Sequence, residues 1–259
     1  MAKEMLDPNV DWTALKLVYD PMYSAYDGKH TFQVPVRVDG TSVPLSGWKA
    51  IPSSAVTFDP DPDAQSGVLV TVLAPVPEIM ITASNGSIGG TAPLRVTNAT
   101  PSDWQVGEAR YNNGVDFTIM FDFSQAFDPN YTPPPPASDL ACNNCHGTGA
   151  KYGEIQHTPT QCARFSDDDL KIIFTAGKKP PGIGFRVLPA MFGTQTADMV
   201  YAGFHKWNAT TDDQIRGLIV YLRSLTPKGQ GDVLLPDGTY VAPDNVPSQF
   251  GGTAGTSGH

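Results

Sequence analysis

The chain has 259 residues, 40% of them hydrophobic, and a formal net charge of -9, which is enough apolar material for two domains of ordinary size, each with its own core. Its most apolar runs, such as Val68 to Val76, fall far short of the roughly 20 residues a spanning helix needs, so no membrane span is expected. The charge is uneven: residues 1–136 hold 7 basic and 15 acidic side chains, residues 137–226 hold 9 and 8, and the remainder 1 and 3, so no basic face is available for nucleic acid.

Residues 1–31 read as a lead-in segment of little periodicity, in which Trp12, Leu15, Leu17, Val18 and Tyr19 form a short strand or helix that Asp20-Pro21 ends. Tyr19, Tyr23, Tyr26 and Phe32 are expected to pack this segment on the next domain. The opening Met1-Ala2-Lys3-Glu4-Met5 is charged where a signal peptide would be apolar, so the expectation is a mature chain without its export signal.

From residue 32 to 127 the pattern is all-β. Alternation marks Phe32–Val38, Val68–Leu73, Ile79–Ala83 and Leu94–Thr97, with Gly, Pro, Asn and Asp between the runs, which argues for a sandwich of short strands. Asp59, Asp61 and Asp63 echo the start of an EF-hand loop. Its turn glycine and distal glutamate have no counterpart, and Val70 holds the latter's place, so an acidic hairpin tip is the expected structure. The residues Trp48 to Asp59, then Gly67-Val68-Leu69-Val70, Ile79 to Gly86, and Gly90-Thr91-Ala92-Pro93-Leu94-Arg95-Val96-Thr97 resemble a bacterial group 2 immunoglobulin-like domain over about residues 33–100. That resemblance implies a spacer or adhesion module and no catalysis. The alternation from Val115 to Phe123 predicts one further strand or two.

Residues 128–136 form a proline-rich linker ending in Pro133-Pro134-Pro135-Pro136, extended and semi-rigid. Directly after it stands Cys142-Asn143-Asn144-Cys145-His146. A Cys-x-x-Cys-His run places two thiols one helical turn apart, each able to form a thioether to one porphyrin, with the adjacent imidazole beneath the iron. A thioredoxin-like motif would sit in a βαβ context, which is not visible here. A zinc site would need a second ligand pair at short spacing, and the chain offers only Cys162 and scattered histidines. Cys162 itself is expected to be buried as a small hydrophobe.

Ser166 with Asp167, Asp168 and Asp169 predicts a capped helix that Gly177 stops. A last helix is predicted from Thr211 to about Leu225, with Thr211 and Gln214 as its capping box, Ile215, Leu218, Ile219 and Leu222 as its apolar face, and Pro227 as its stop. In the tail, residues 227–259, Leu235 to Val241 is the expected hairpin.

Taken together, residues 137–226 resemble a class I c-type cytochrome domain, with Cys-x-x-Cys-His near the start and a C-terminal helix ending Tyr221-Leu-Arg-Ser-Leu225. The resemblance implies one covalent haem c on Cys142 and Cys145, His146 as proximal ligand, and the carbonyl of Pro159 orienting the His146 imidazole. In the family a methionine on the loop before the last helix is the distal ligand. His205 holds that place here and is the preferred distal ligand, with Met199 and Met191 as alternatives and an open sixth position as a third. The family's helix before the attachment motif has only Ala137 to Ala141 to form from, so another segment must cover that face of the terminal helix, either the 101–127 region or the lead-in.

The organisation expected is therefore two-domain, an N-terminal immunoglobulin-like β-sandwich and a C-terminal, mainly α cytochrome c domain. The function expected is non-enzymatic electron transfer with redox partner proteins, outside the cytoplasmic membrane in the periplasm or at the cell surface, where covalent haem attachment takes place. Residues 137–226 are the relatively positive part of an acidic molecule, suited to an acidic redox partner. Two other classes stay open: a peroxidase-like or gas-sensing haem protein with a vacant sixth site, which would want a polar acid-base group near iron, and a surface adhesion or assembly module; in any of these classes a homo-oligomer is a further open partner.

Overall fold

The computed structural model describes residues 6–62, 67–114, 141–144, 146, 157–178, 211–229, 233–234 and 240–241. The chain divides into two compact units. The first comprises residues 1–105, 158–166 and 220–229, and the second residues 106–157, 167–219 and 230–259.

Among the described residues of the first unit, seven strands form two sheets: β1 (Met22–Tyr26), β2 (Gln33–Arg37), β3 (Trp48–Ile51), β4 (Val56–Pro60), β5 (Gly67–Val72), β6 (Glu78–Asn85) and β7 (Ile88–Asn98). One sheet has the order β1-β7-β6-β3 and the other β2-β5-β4. This is an immunoglobulin-like strand order, with consecutive strands shared between two sheets in Greek-key fashion. The alternation read from the sequence is the cause. Val34 and Val36 of β2, Val68, Val70 and Val72 of β5, Ile79 and Ile81 of β6, and Leu94 and Val96 of β7 all turn inward into one core with Phe32 and Trp48. Burying each such side chain stabilises the fold by about 1.5–3 kcal/mol, enough to hold every strand in register. Pro35 is tolerated because β2 is an edge strand, where a missing N–H interrupts no ladder. Asp59 and Asp61 lie where β4 turns back antiparallel to β5, as expected of an acidic hairpin, while Asp63 is outside the described residues.

The sheet begins earlier than the sequence indicates. β1 lies inside the segment read as lead-in and pairs parallel with β7, Met22 opposite Leu94 and Tyr26 opposite Asn98. Ahead of it the chain runs along the start of β7: the Leu15 N–H donates to the Gly89 carbonyl at 2.9 Å, and the Gly89 N–H to the Asp11 carbonyl at 2.8 Å. This close approach explains Gly89-Gly90. A Cβ at Gly90 would stand 2.3 Å from the Leu15 carbonyl oxygen, and one at Gly89 2.6 Å from the Trp12 ring.

A second difference comes directly after β7. Residues 101–113, expected to contribute to a strand region, form helix α1 (Pro101–Asn113). Its start is capped reciprocally: the Asp103 N–H donates to Thr100 Oγ1 at 3.2 Å, and the Thr100 N–H donates to Asp103 Oδ2 at 2.8 Å. Pro101 sits at the first helical position, where no N–H is needed. The strand predicted over Val115–Phe123 lies outside the described residues.

Two segments from the expected cytochrome region also belong to the first unit. The short helix α2 (Pro159–Cys162) is capped by Thr158 and Gln161, and the Gln161 amide and Thr158 hydroxyl both donate to the Lys228 carbonyl, at 2.9 and 3.0 Å. The Tyr23 N–H donates to the Ala163 carbonyl at 2.7 Å, the Tyr19 hydroxyl to that of Thr160 at 3.1 Å, and Ala163 and Val220 are members of the sandwich core. The compact units thus cut across the boundaries at residues 127 and 137 that composition indicates. The reason is physical: Cys162, Ala163 and Val220 are apolar groups that the fold buries, whatever their distance along the chain.

In the second unit, α3 (Asp167–Ala176) carries the predicted acidic first turn, buries Leu170, Ile173 and Phe174, and stops at Gly177 with φ +58. The helix α4 (Asp212–Ser224) opens on the predicted box, the Gln214 N–H donating to Thr211 Oγ1 at 3.2 Å, and its Ile215, Leu218 and Ile219 are buried. Two short strands, β8 (Val233–Leu234) and β9 (Tyr240–Val241), pair antiparallel, the first of them lying just ahead of the Leu235–Val241 run expected to form a hairpin. No helix among the described residues is long and apolar enough to cross a membrane.

Candidate haem attachment site

Residues Cys142 to Asn144 make one tight helical turn, which the His146 N–H extends by donating to the Cys142 carbonyl at 3.0 Å. This bond ties the backbone of His146 to that of Cys142, four residues before it. Both side chains are half-buried, and Ala141 just before them is buried. The thiol and the imidazole are thus neither sealed in a core nor fully exposed to solvent. Cys145 lies outside the described residues, as do His205, Met199 and Met191.

His146 has an aromatic neighbour that sequence reasoning did not pair with it. The imidazole of His157 stacks on that of His146, ring centroids 3.6 Å apart and planes 25° from parallel. Eleven positions of chain separate the two rings, and nothing in their spacing signals that they meet.

Pro159 is buried at the first position of α2, and its carbonyl accepts the Ala163 N–H at 2.9 Å. Cys162, at the end of the same turn, is buried as expected. Burial pushes its thiol up to about 12, against the opposing pull of the Arg223 and Arg164 charges. The thiol stays protonated at neutral pH, which makes it a packing group rather than a nucleophile.

The remaining histidine of the β-region is committed elsewhere. His30 Nδ1 lies 2.5 Å from Asp27 Oδ2, and the backbone N–H groups of His30 and Lys29 donate to Asp27 Oδ1 at 2.8 and 2.9 Å. Burial pushes the Asp27 carboxyl up, but the His30 side chain and these two N–H groups outweigh it and hold the group below the ordinary carboxylate value. The His30 ring then stacks on Trp104 of α1, centroids 3.9 Å apart and 12° from parallel. Trp104 in turn donates from Nε1 to Ser224 Oγ at 2.6 Å and meets Tyr221 edge-on at 5.3 Å. Among the described residues, Trp104 packs on the end of the terminal helix, delivered by α1 and backed by His30 and Asp27. The Thr100-Pro101-Ser102-Asp103 signature was the signal from which α1 was legible.

Among the described residues, no cluster of three or more His, Cys, Asp or Glu side chains forms a metal site. No family model matches the chain, and no curated protein matches it. Among solved structures, titin domain M7 is similar at 10% identity and a TM-score of 0.25, over 33% of this chain and 94% of that one.

Proposed function

We propose that this chain is an exported mono-haem c-type electron-transfer protein. The observation that carries the reading is the Cys142–His146 segment: a Cys-x-x-Cys-His sequence in which Cys142 opens a short helical turn, the His146 N–H donates to the Cys142 carbonyl, and both side chains are half-buried. Cys142 and Cys145 anchor the macrocycle through thioethers, and His146 donates its imidazole from the proximal side. His205 is the preferred distal ligand, with Met199 and Met191 next. Haem c, when bound, supplies the one-electron couple. The chain's own groups set its potential: a thioether as sixth ligand raises it and a second imidazole lowers it. Pro159 is assigned to orient His146 through its carbonyl. The immunoglobulin-like sheets serve as spacer or docking module, and the site of action is the periplasm or cell surface, where haem attachment takes place.

The test is expression alongside the bacterial haem-attachment machinery, with haem retained on the denatured chain as the readout. The wild-type chain is expected to keep its haem through denaturation, and the Cys142→Ala, Cys145→Ala double variant to lose it. A wild-type chain that carries zinc, or nothing, refutes the reading. Near-infrared magnetic circular dichroism of the ferric protein then reports the axial pair: a bis-histidine signature supports His205, a histidine-methionine signature moves the assignment to Met199 or Met191, and a high-spin signal rejects a closed sixth site.

A further inference from the structure

We infer that His157 is a positioning residue for His146, setting the rotation of the proximal imidazole about its bond to iron. This inference rests on the proposed haem function. The observation is the stack itself, two imidazole planes 3.6 Å apart between centroids and 25° from parallel.

The geometry assigns His157 its side of the site. A coordinating imidazole stands edge-on to the porphyrin, so its two faces point sideways into the protein. A ring stacked on one of those faces stands beside it, on the same side of the macrocycle. Two imidazoles that share one iron instead lie in line with the metal between them, an arrangement incompatible with face-to-face contact. The stack therefore sets His157 beside His146 rather than across the iron from it, a wall against which His146 is held.

His157 is followed along the chain by a capped turn. Thr158, the next residue, has extended backbone, and its N–H donates to Gln161 Oε1 at 3.0 Å in the capping box of α2. Its hydroxyl accepts from the Lys228 N–H at 3.0 Å. Groups next to a metal ligand control that ligand's orientation and electronics. The plane of an axial imidazole selects which iron d orbital it overlaps, which is read directly in the anisotropy of the ferric g-values and in the order of the haem methyl proton shifts.

The experiment compares wild type, His157→Phe and His157→Ala as holoproteins, first for covalent haem, then by electron paramagnetic resonance and proton NMR of the ferric form. Phenylalanine keeps a flat face and is expected to retain the wild-type g-values and methyl order. Alanine is expected to shift both while leaving the axial pair unchanged. Should the alanine variant fail to carry haem, His157→Leu, which fills space without a flat face, takes its place in the comparison. Spectra of the alanine or leucine variant that match wild type overturn the inference, as does a phenylalanine variant that shifts equally, or loss of a histidine ligand from the axial signature. A wild-type chain without covalent haem is a different failure, that of the parent function, and is seen at the first step.

Discussion

Trp104 is the side chain whose removal tests the architecture most directly. It makes three contacts of different kinds: a stack on His30 at 3.9 Å, an edge contact with Tyr221 at 5.3 Å, and a 2.6 Å hydrogen bond to Ser224. Aromatic pairs contribute about 0.5–1.5 kcal/mol each beyond the area they bury. A neutral hydrogen bond contributes about 1 kcal/mol net. Trp104 is only partly buried, so Trp104→Ala belongs at the lower end of the range for large-to-small changes, about 3 kcal/mol. Trp104→Phe keeps a ring for both neighbours and loses chiefly the bond to Ser224, and should cost about 1 kcal/mol. Equilibrium urea unfolding of the two variants, with His30→Ala and the double variant completing a cycle, reads these values. The double variant should be less destabilised than the sum of the two singles, because the stack is counted twice. If Phe costs as much as Ala, or if His30 and Trp104 add without coupling, the stack does not hold the end of α4.

Asp27 gives a pH dependence whose sign is fixed. Its carboxyl is held below the ordinary value of 3.8 in the folded chain, so its contribution is present in full above that value and is lost as pH falls through the lower folded-state value. Acid unfolding of wild type should therefore be steeper over that window than that of Asp27→Asn; identical acid limbs would refute the assignment. For Cys162, with its thiol pushed up to about 12, a thiol reagent at neutral pH should leave the folded protein unmodified at this position. Peptide mass mapping should find the modification only after denaturation, and labelling of the native chain would contradict the burial of this thiol.

Much of the β-region was legible because its determinants are local. Alternation at Val34 and Val36, at Val68, Val70 and Val72, and at Ile79 and Ile81 needs only the period of a strand to declare an inward face, and the structure turns these residues inward. The box Thr211 with Gln214 and the stop at Gly177 are equally local and form as read, while the tail pairing takes its first strand from Val233–Leu234, ahead of the run expected. Helix α1 was local too. Thr100-Pro101-Ser102-Asp103 states its start, but the weak amphipathicity of Trp104-Gln-Val-Gly-Glu-Ala-Arg-Tyr111 gave the helical period little contrast beside the strong alternation at Val115 to Phe123.

The order of residues along this chain dictates the chemistry a segment can carry and the face it must bury: a Cys-x-x-Cys-His turn, inward-facing valines and isoleucines, capped helices. Partners came from the packing in three dimensions, because pairings between distant residues depend on which apolar surfaces find each other, and no sequence period encodes that. Packing set β1 parallel to β7, brought Ala163 and Val220 into the sandwich core, ran Asp27 through His30 and Trp104 to Ser224, and laid His157 on His146. Each of these joins groups that lie far apart along the chain or on different elements, and each holds because burial and stacking act through space.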